Sequence, residues 1–481
     1  MATNTPPKDR FGLHYFPDTD HYRENDLRAW LPELRSLGVS WLILQASIER
    51  AIPESFLKGI ISAGIEPILH INPSLEGVTK QNQFSDTPEE FSPILDAYHQ
   101  WGINYITYYD RPNRRSAWKA SDWMQSNLVQ QFLDRFVPLA ELTIQHNMRP
   151  VLAPLEPGGD YWDTAFLRVV LQNLLKQEKT NLLDKLVLGA YANTGERALN
   201  WGIGGPERWA GARPYFTPEG EQDEMGFFIF DWYRTISQAV LGVSLPMLLF
   251  GAGSPGVASL SAPNTSGSSN LSVDEHVQRN ISLLKVVQGE AEPPFIEGLP
   301  AEVLACNFWI LATTPQNPSD IGKDELIQSD HQAWYRADGT TSPIVGFLRQ
   351  WQVNRKVPQP QVDEHAPQVE TTTHQEEKLP SPQTFPRTVS QSHPIAHYLL
   401  IPPNEQGEVD FEIAQFYPFI KKHNLTVGFS MDEASLAIQV TVLDHHQVFP
   451  IESMEQLRAF GCKVVRITGL GTELAQFLTS I

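Results

Sequence analysis

The sequence predicts a (β/α)8 barrel followed by a linker and a small α/β unit, and three observations lead there. Eight short apolar runs recur between Phe11 and about Trp351, separated by amphipathic stretches. That is the rhythm of a parallel sheet covered by helices. Helix stops and starts punctuate the alternation where βα units need them. No G-x-G-x-x-G or P-loop glycine pattern follows the first run, which disfavours an open nucleotide-binding sheet.

The runs are Phe11 to Phe16, Trp41 to Ser47, Glu66 to Asn72, Tyr105 to Asp110, Pro150 to Leu155, Leu186 to Tyr191, Pro246 to Gly251 and Leu304 to Leu311. Gly38, Gly64, Gly102, Asn147 and Gly242 each stand before an apolar residue that opens the next run, as left-handed helix caps do. Pro53-Glu54, Asp86-Thr87-Pro88-Glu89 and Ser272-Val-Asp-Glu275 put proline or acid into first helical turns. One helix is expected from Ser121 to His146.

Two connections are long. Ala192 to about Glu224 carries Trp201, Trp209 and Tyr215, and Ser254 to Ser272 is rich in Ser, Gly, Asn and Ala. Both leave C-terminal ends of strands and so belong over the barrel mouth. Function is expected of the first, and a mobile lid of the second.

The barrel is expected over residues 1–352. Residues 353–394, dominated by Pro, Gln, Glu, Thr and His, cannot bury enough apolar surface to offset their ordering entropy and are expected to form a disordered linker. Residues 395–481 make the small unit. It has an apolar run from His397 to Ile401, another from Ala437 to Leu443, a helix from Pro450 to Phe460 closed by Gly461, and a strand from Lys463 to Ile467.

Of 481 residues, 56 are acidic and 36 basic, a net charge of −20 that argues against nucleic acid as a partner. Cys306 and Cys462 lie far apart and offer neither a disulfide framework nor metal-ligand spacing. The N-terminus carries no apolar signal segment, and no run approaches the roughly 18 apolar residues of a spanning helix. The chain is expected to be soluble, without a membrane partner, and cytoplasmic unless it is exported by a route that needs no such signal. No cofactor is implied.

The fourth run ends Asp110-Arg111-Pro112-Asn113 and the seventh Phe250-Gly251-Ala252-Gly253-Ser254-Pro255. In this setting the barrel resembles the clan A glycoside hydrolases, the cellulase-like and β-glycosidase-like retaining enzymes. Their fourth strand ends in Asn-Glu-Pro, whose Glu is the acid/base, and their seventh in a second Glu, the nucleophile. The resemblance places Arg111 at the acid/base position and Gly251 at the nucleophile position. Tyr191 and Trp309 stand where the clan keeps a tyrosine and a sugar-platform tryptophan. Retaining hydrolysis needs a protonated acid facing a second carboxylate about 5 to 5.5 Å away. Arginine holds its proton at neutral pH, and glycine has no side chain with which to attack.

The resemblance therefore implies a glycosidase-like barrel that binds carbohydrate, or acts as a scaffold, without hydrolysis. The residues it implies for sugar contact are His14, His70, Tyr108, Arg111, Asn113, Asp160, Trp162, Tyr191 and Trp309. An active hydrolase with relocated carboxylates stays open, with Glu156 of Leu155-Glu156-Pro157 as acid/base and Asp110 or Asp160 as its partner. Asp110 and Glu156 equally suit an ion pair flanking Arg111. His14, Asp18, Asp20, His21 and His70 invite a metal, but a strand-end histidine is more simply a hydrogen-bonding group, and no metal is expected. Trp118, Trp123 and Trp162 either extend a stacking surface or pack under loops. The stretch Val440 to Leu443, Pro450 to Phe460 and Gly461 to Gly469 resembles half of a bacterial cell-wall-binding repeat, which implies a protein or cell-wall partner for the last unit. A two-domain interaction protein, its modules tethered by the linker, is the third reading.

Overall fold

The computed structural model describes residues 9–75, 88–254, 273–290, 295, 298–313, 333–356, 393, 395–401, 420, 425–444 and 449–468. Eight parallel strands close into a barrel in sequence order: β1 (Phe11–His14), β2 (Trp41–Ala46), β3 (Glu66–Ile71), β4 (Tyr105–Tyr108), β5 (Arg149–Leu155), β6 (Val187–Asn193), β7 (Met247–Gly253) and β8 (Val303–Phe308). β8 returns to pair with β1, so the sheet has no edge. The principal helices of the outer layer are α1 (Glu24–Leu37), α2 (Glu54–Ser62), α3 (Pro88–Trp101), α4 (Leu128–Gln145), α5 (Asp163–Lys176), α6 (Ile229–Leu241), α7 (Val273–Val287) and α8 (Pro343–Lys356).

The strands read as continuous apolar runs because both faces are covered. Trp41, Ile43, Ile68, Tyr105, Val151, Val187, Leu248 and Phe250 share a cluster inside the barrel. Their neighbours Leu42, Leu44, Leu69, Ile106, Leu152, Leu188 and Leu249 join the larger core against the helices. Gly12 has no side chain because Asn307 crosses its position: a Cβ there would lie 2.1 Å from Asn307 Oδ1. The five residues read as helix stops, Gly38, Gly64, Gly102, Asn147 and Gly242, all have positive φ.

The helix expected from Ser121 to His146 is divided into a short turn at Ala120–Trp123 and α4. The division has a partner: the Val129 amide at the start of α4 donates to Asp432 Oδ2 of the last unit at 3.2 Å. Residues 353–356, expected to open the linker, complete α8. The rest of the expected linker, apart from His393, lies outside the described residues, as does the expected lid beyond Ser254.

The last unit is a four-stranded parallel sheet, ordered β10-β9-β11-β12, from β9 (Ile395–Leu400), β10 (Thr426–Gly428), β11 (Ala437–Leu443) and β12 (Lys463–Ile467). Helix α9 (Ile451–Ala459) covers the side where Tyr398, Val440, Val442 and Leu457 are buried. The strand β10 and the short helix Met431–Ala434 escape the sequence reading. So does the seating of the unit, which rests against the barrel rather than standing apart on a tether. Tyr215 of the barrel packs into its core, Tyr215 Oη is hydrogen-bonded to Glu433, and Ser126 Oγ donates to Gln456 at 3.0 Å.

Candidate functional site

The ends of β4 and β7 have unusual backbones. Tyr109 and Arg111 have φ of 67° and 44°, values rare for bulky residues, while Gly251 and Gly253 have φ of 50° and 111°. Strained strand ends of this kind gather at binding and catalytic sites. The Arg111 amide is tied to Pro154 O of β5 at 3.0 Å, and the Tyr109 amide to Ile71 O of β3 at 2.9 Å. The β4 end is thus held on both sides.

Arg111 joins residues from three strand ends. Its Nε is 2.8 Å from Glu156 Oε2, its Nη1 is 3.9 Å from Asp110 Oδ2, and its guanidinium carbon stands 4.3 Å from the centre of the Tyr191 ring. Tyr191 Oη donates to Asp110 Oδ1 at 2.7 Å. Arginine fits here because it can face two carboxylates and an aromatic ring at once. Asp110 is 24% exposed, and Arg111 and Glu156 are each 35% exposed, so the cluster remains open to solvent. Asp110 and Arg111 also line a cavity of about 420 Å³ with Asn72, Pro73 and Arg114, which Glu156 does not line.

Beneath the cluster lie two buried histidines, each with its ring edge-on to Phe250. The Gly251 amide donates to His14 Nε2 at 2.9 Å, and His70 Nε2 donates to Tyr109 O at 3.0 Å. Burial lowers the pKa of both rings, the Arg111 charge adding to it while Asp110 and the Tyr109 carbonyl oppose it at His70, and both are neutral. The proton of His14 therefore sits on Nδ1, while the Nδ1 of His70 is a bare acceptor. Neither Nδ1 has a hydrogen-bond partner among the described residues. One unsatisfied donor and one unsatisfied acceptor under a polar mouth complement a hydroxyl group, which is both. Half-buried Trp309 stands edge-on to His14 at 4.8 Å, and the Trp309–Ile310 peptide is cis.

The remaining residues named for sugar contact lie elsewhere. Tyr108 is fully buried and its hydroxyl is paired with Thr143 of α4 at 2.8 Å, on the helix side of the wall. In a four-residue strand the alternation gives Thr107 and Tyr105 the inner face. Asn113 is buried, and its amide bonds Glu156 O, Tyr161 O and the Glu156 amide, which fixes the β5 loop under Glu156. Asp160 Oδ2 accepts from the Arg115 amide at 2.8 Å. Trp162 is buried against Tyr215, and Trp118 and Trp123 are buried too, so these three tryptophans pack under loops. In the long loop after β6, Trp201 Nε1 donates to Asp223 and Trp209 Nε1 to Ile203 O, so its aromatics brace the loop itself.

His21 pairs with Asp18 at 2.7 Å and stacks on Phe16, while Asp20 faces Arg50. Among the described residues no group of three or more His, Cys, Asp or Glu is arranged to hold a metal ion, and no helix is long and apolar enough to cross a membrane.

No protein-family model matches the chain, and no curated protein matches it. Solved structures are similar in fold. A family 39 glycoside hydrolase from the gut symbiont Bacteroides cellulosilyticus WH2 aligns over 71% of this chain and 63% of its own, at 10% identity and a TM-score of 0.44. The present chain thus spans less than two thirds of that enzyme. A monomeric beta-xylosidase from Caulobacter crescentus CB15 aligns over 72% of this chain and 69% of its own, at 12% identity and a TM-score of 0.42. A beta-galactosidase from the psychrophilic Marinomonas ef1 aligns over 95% of this chain and 75% of its own, at 10% identity and a TM-score of 0.38.

Proposed function

We propose that the barrel mouth is a carbohydrate-binding site of glycosidase type that does not hydrolyse its ligand. The observation that carries this reading is the pair of residues at the ends of β4 and β7. Arg111, at the acid/base position, is engaged with Asp110, Glu156 and Tyr191. Gly251, at the nucleophile position, has φ of 50°, and a Cβ there would lie 2.9 Å from the Tyr191 ring. A carboxylate at that point would need both a disfavoured backbone and a displaced tyrosine.

Sugar binding draws its support from the unsatisfied Nδ1 atoms of His14 and His70, the half-buried Trp309 and the open cluster of Asp110, Arg111 and Glu156. These supply donors, acceptors and an aromatic face, the groups that orient a polyhydroxylated ring. For a relocated catalytic pair the geometry is unfavourable. Glu156 Oε2 rests on Arg111, and Asp160 Oδ2 accepts from the Arg115 amide. For the interaction-protein reading, the packing of Tyr215 and Glu433 makes the last unit part of the same body, so partner recruitment would use its outer surface.

A glycan-array screen of the full chain tests the proposal. Selective binding to one glycan class, lost in Trp309→Ala and weakened in Arg111→Gln, is expected. An array blank for the folded wild type, or binding indifferent to both substitutions, would end the carbohydrate reading.

A further inference from the structure

A second cavity lies away from the mouth, where the last unit meets the barrel. It encloses about 430 Å³, and its walls include Trp162, Arg168 of α5, Arg213 of the long loop, Glu224, Trp232 of α6 and Leu436 before β11. That volume is within the usual range for small-molecule sites. The wall is mixed: two indoles and aliphatic side chains on one hand, two guanidinium groups and one acid on the other.

Arg28, Arg197, Arg349 and Arg466 each pair with a carboxylate. Arg168 is exposed at the cavity and has no hydrogen bond or ion pair among the described residues. Arg213 spends Nη1 on the carbonyls of Ala210, Gly211 and Ala212, and it too has no carboxylate partner among them. In a chain with 56 acidic residues and 36 basic ones, two such arginines on one cavity leave positive charge available there.

Glu224 is 1% exposed and is hydrogen-bonded to the equally buried Asp163, whose own oxygens accept from Tyr233 Oη at 2.9 Å and the Gly158 amide at 3.0 Å. Asp163 is supplied with more donors than Glu224. Burial and the neighbouring Asp163 raise the Glu224 pKa well above the carboxylate range, so Glu224 holds the shared proton and is neutral. Its other oxygen, Oε1, is buried with no partner among the described residues, a cost that a ligand donor would remove. A neutral acid also does not repel an anion.

We infer that this junction cavity binds a small aromatic anion carrying a hydroxyl group. Its carboxylate meets Arg168 and Arg213, its ring lies against Trp162, Trp232 and Leu436, and its hydroxyl donates to Glu224 Oε1. The site is separate from the mouth and does not depend on what the mouth binds. Because walls from both units close it, an occupant would also hold the last unit on the barrel.

The experiment titrates the full chain with four probes, 4-hydroxybenzoate, phenol, D-glucuronate and inorganic phosphate, reading tryptophan fluorescence and the thermal midpoint. Saturable binding of 4-hydroxybenzoate is expected, tighter than that of the other three and weakened about tenfold in Arg168→Ala, the loss of one charge-assisted hydrogen bond. Arg168 is exposed, so that variant should fold as the wild type does; Glu224→Gln keeps a donor to Asp163 and the acceptor Oε1 and should bind 4-hydroxybenzoate as the wild type does, whereas Glu224→Leu removes the acceptor and should bind it more weakly, and indifference to Glu224→Leu would overturn the hydroxyl contact. Absence of binding by all four probes, phenol binding as tightly as 4-hydroxybenzoate, or indifference to Arg168→Ala would overturn the assignment. Tighter binding of D-glucuronate or phosphate would overturn its aromatic part.

Discussion

Glu433→Gln tests how the last unit is fastened to the barrel. Glu433 is fully buried, Tyr398 Oη donates to its Oε2 at 2.8 Å, and Tyr215 Oη is hydrogen-bonded to the same atom. Tyr215 Oη also lies 3.1 Å from Asp160 O and accepts from the Trp162 amide at 2.9 Å. Both tyrosine hydroxyls donate to this one buried carboxyl oxygen. Burial raises the Glu433 pKa from 4.5 to about 8, against the opposing effect of the two tyrosine hydroxyls. The sign follows from proton counting. Between about pH 4.5 and 8 the folded protein holds a proton that the unfolded chain has released, so stability from this group is full below pH 4.5 and is lost as pH rises toward 8. The slope is about 1.4 kcal/mol per pH unit, or roughly 2.5 kcal/mol between pH 6 and 8. The glutamine amide of Glu433→Gln stays neutral and keeps a donor, so the variant should lose that part of the slope. Urea unfolding followed by tryptophan fluorescence at pH 6, 7 and 8 measures it. Asp432, raised to about 7 by burial, titrates in both proteins, and its charge also pushes Glu433 upward. Parallel pH profiles for wild type and Glu433→Gln would refute a protonated Glu433 at the junction.

Two further substitutions probe the mouth. Gly251→Ala should cost about 1–3 kcal/mol, the usual strain of a side chain at a left-handed position, and Gly251→Glu combined with Arg111→Glu should not gain hydrolysis of an aryl glycoside; thermal midpoints and released chromophore check the two parts. Asn113→Ala removes three hydrogen bonds to the loop after β5 and should destabilise the chain by about 3 kcal/mol while weakening any ligand that contacts Glu156, measured by urea unfolding and by binding.

The barrel was legible because each strand is an apolar run bounded by a left-handed stop, and such local signals survive without knowledge of tertiary contacts. The flanking of Arg111 by Asp110 and Glu156 was legible for a similar reason, since adjacent strand ends bring those residues together in this fold. What a side chain faces was less so. Tyr108 reads as a mouth residue until Thr143 takes its hydroxyl, and Trp118, Trp123 and Trp162 look like a stacking surface until the loops above them are placed. The junction left almost no trace. Asp432 and Glu433 follow Ser430 as ordinary first-turn acids do, and nothing local announces that both are buried against another unit. Glu224 and Asp163 meet only through the packing of the long loop after β6 on the start of α5.

The most direct test of the central claim is turnover. Wild type, Glu156→Gln and Arg111→Gln should be assayed together on a broad panel of chromogenic glycosides, at protein concentrations where the wild type binds its array ligand. No release above the uncatalysed rate in any of the three, with binding intact in the wild type, is the result expected of a glycosidase-type binding protein. Wild-type turnover abolished by Glu156→Gln would contradict it and assign the acid/base role to Glu156.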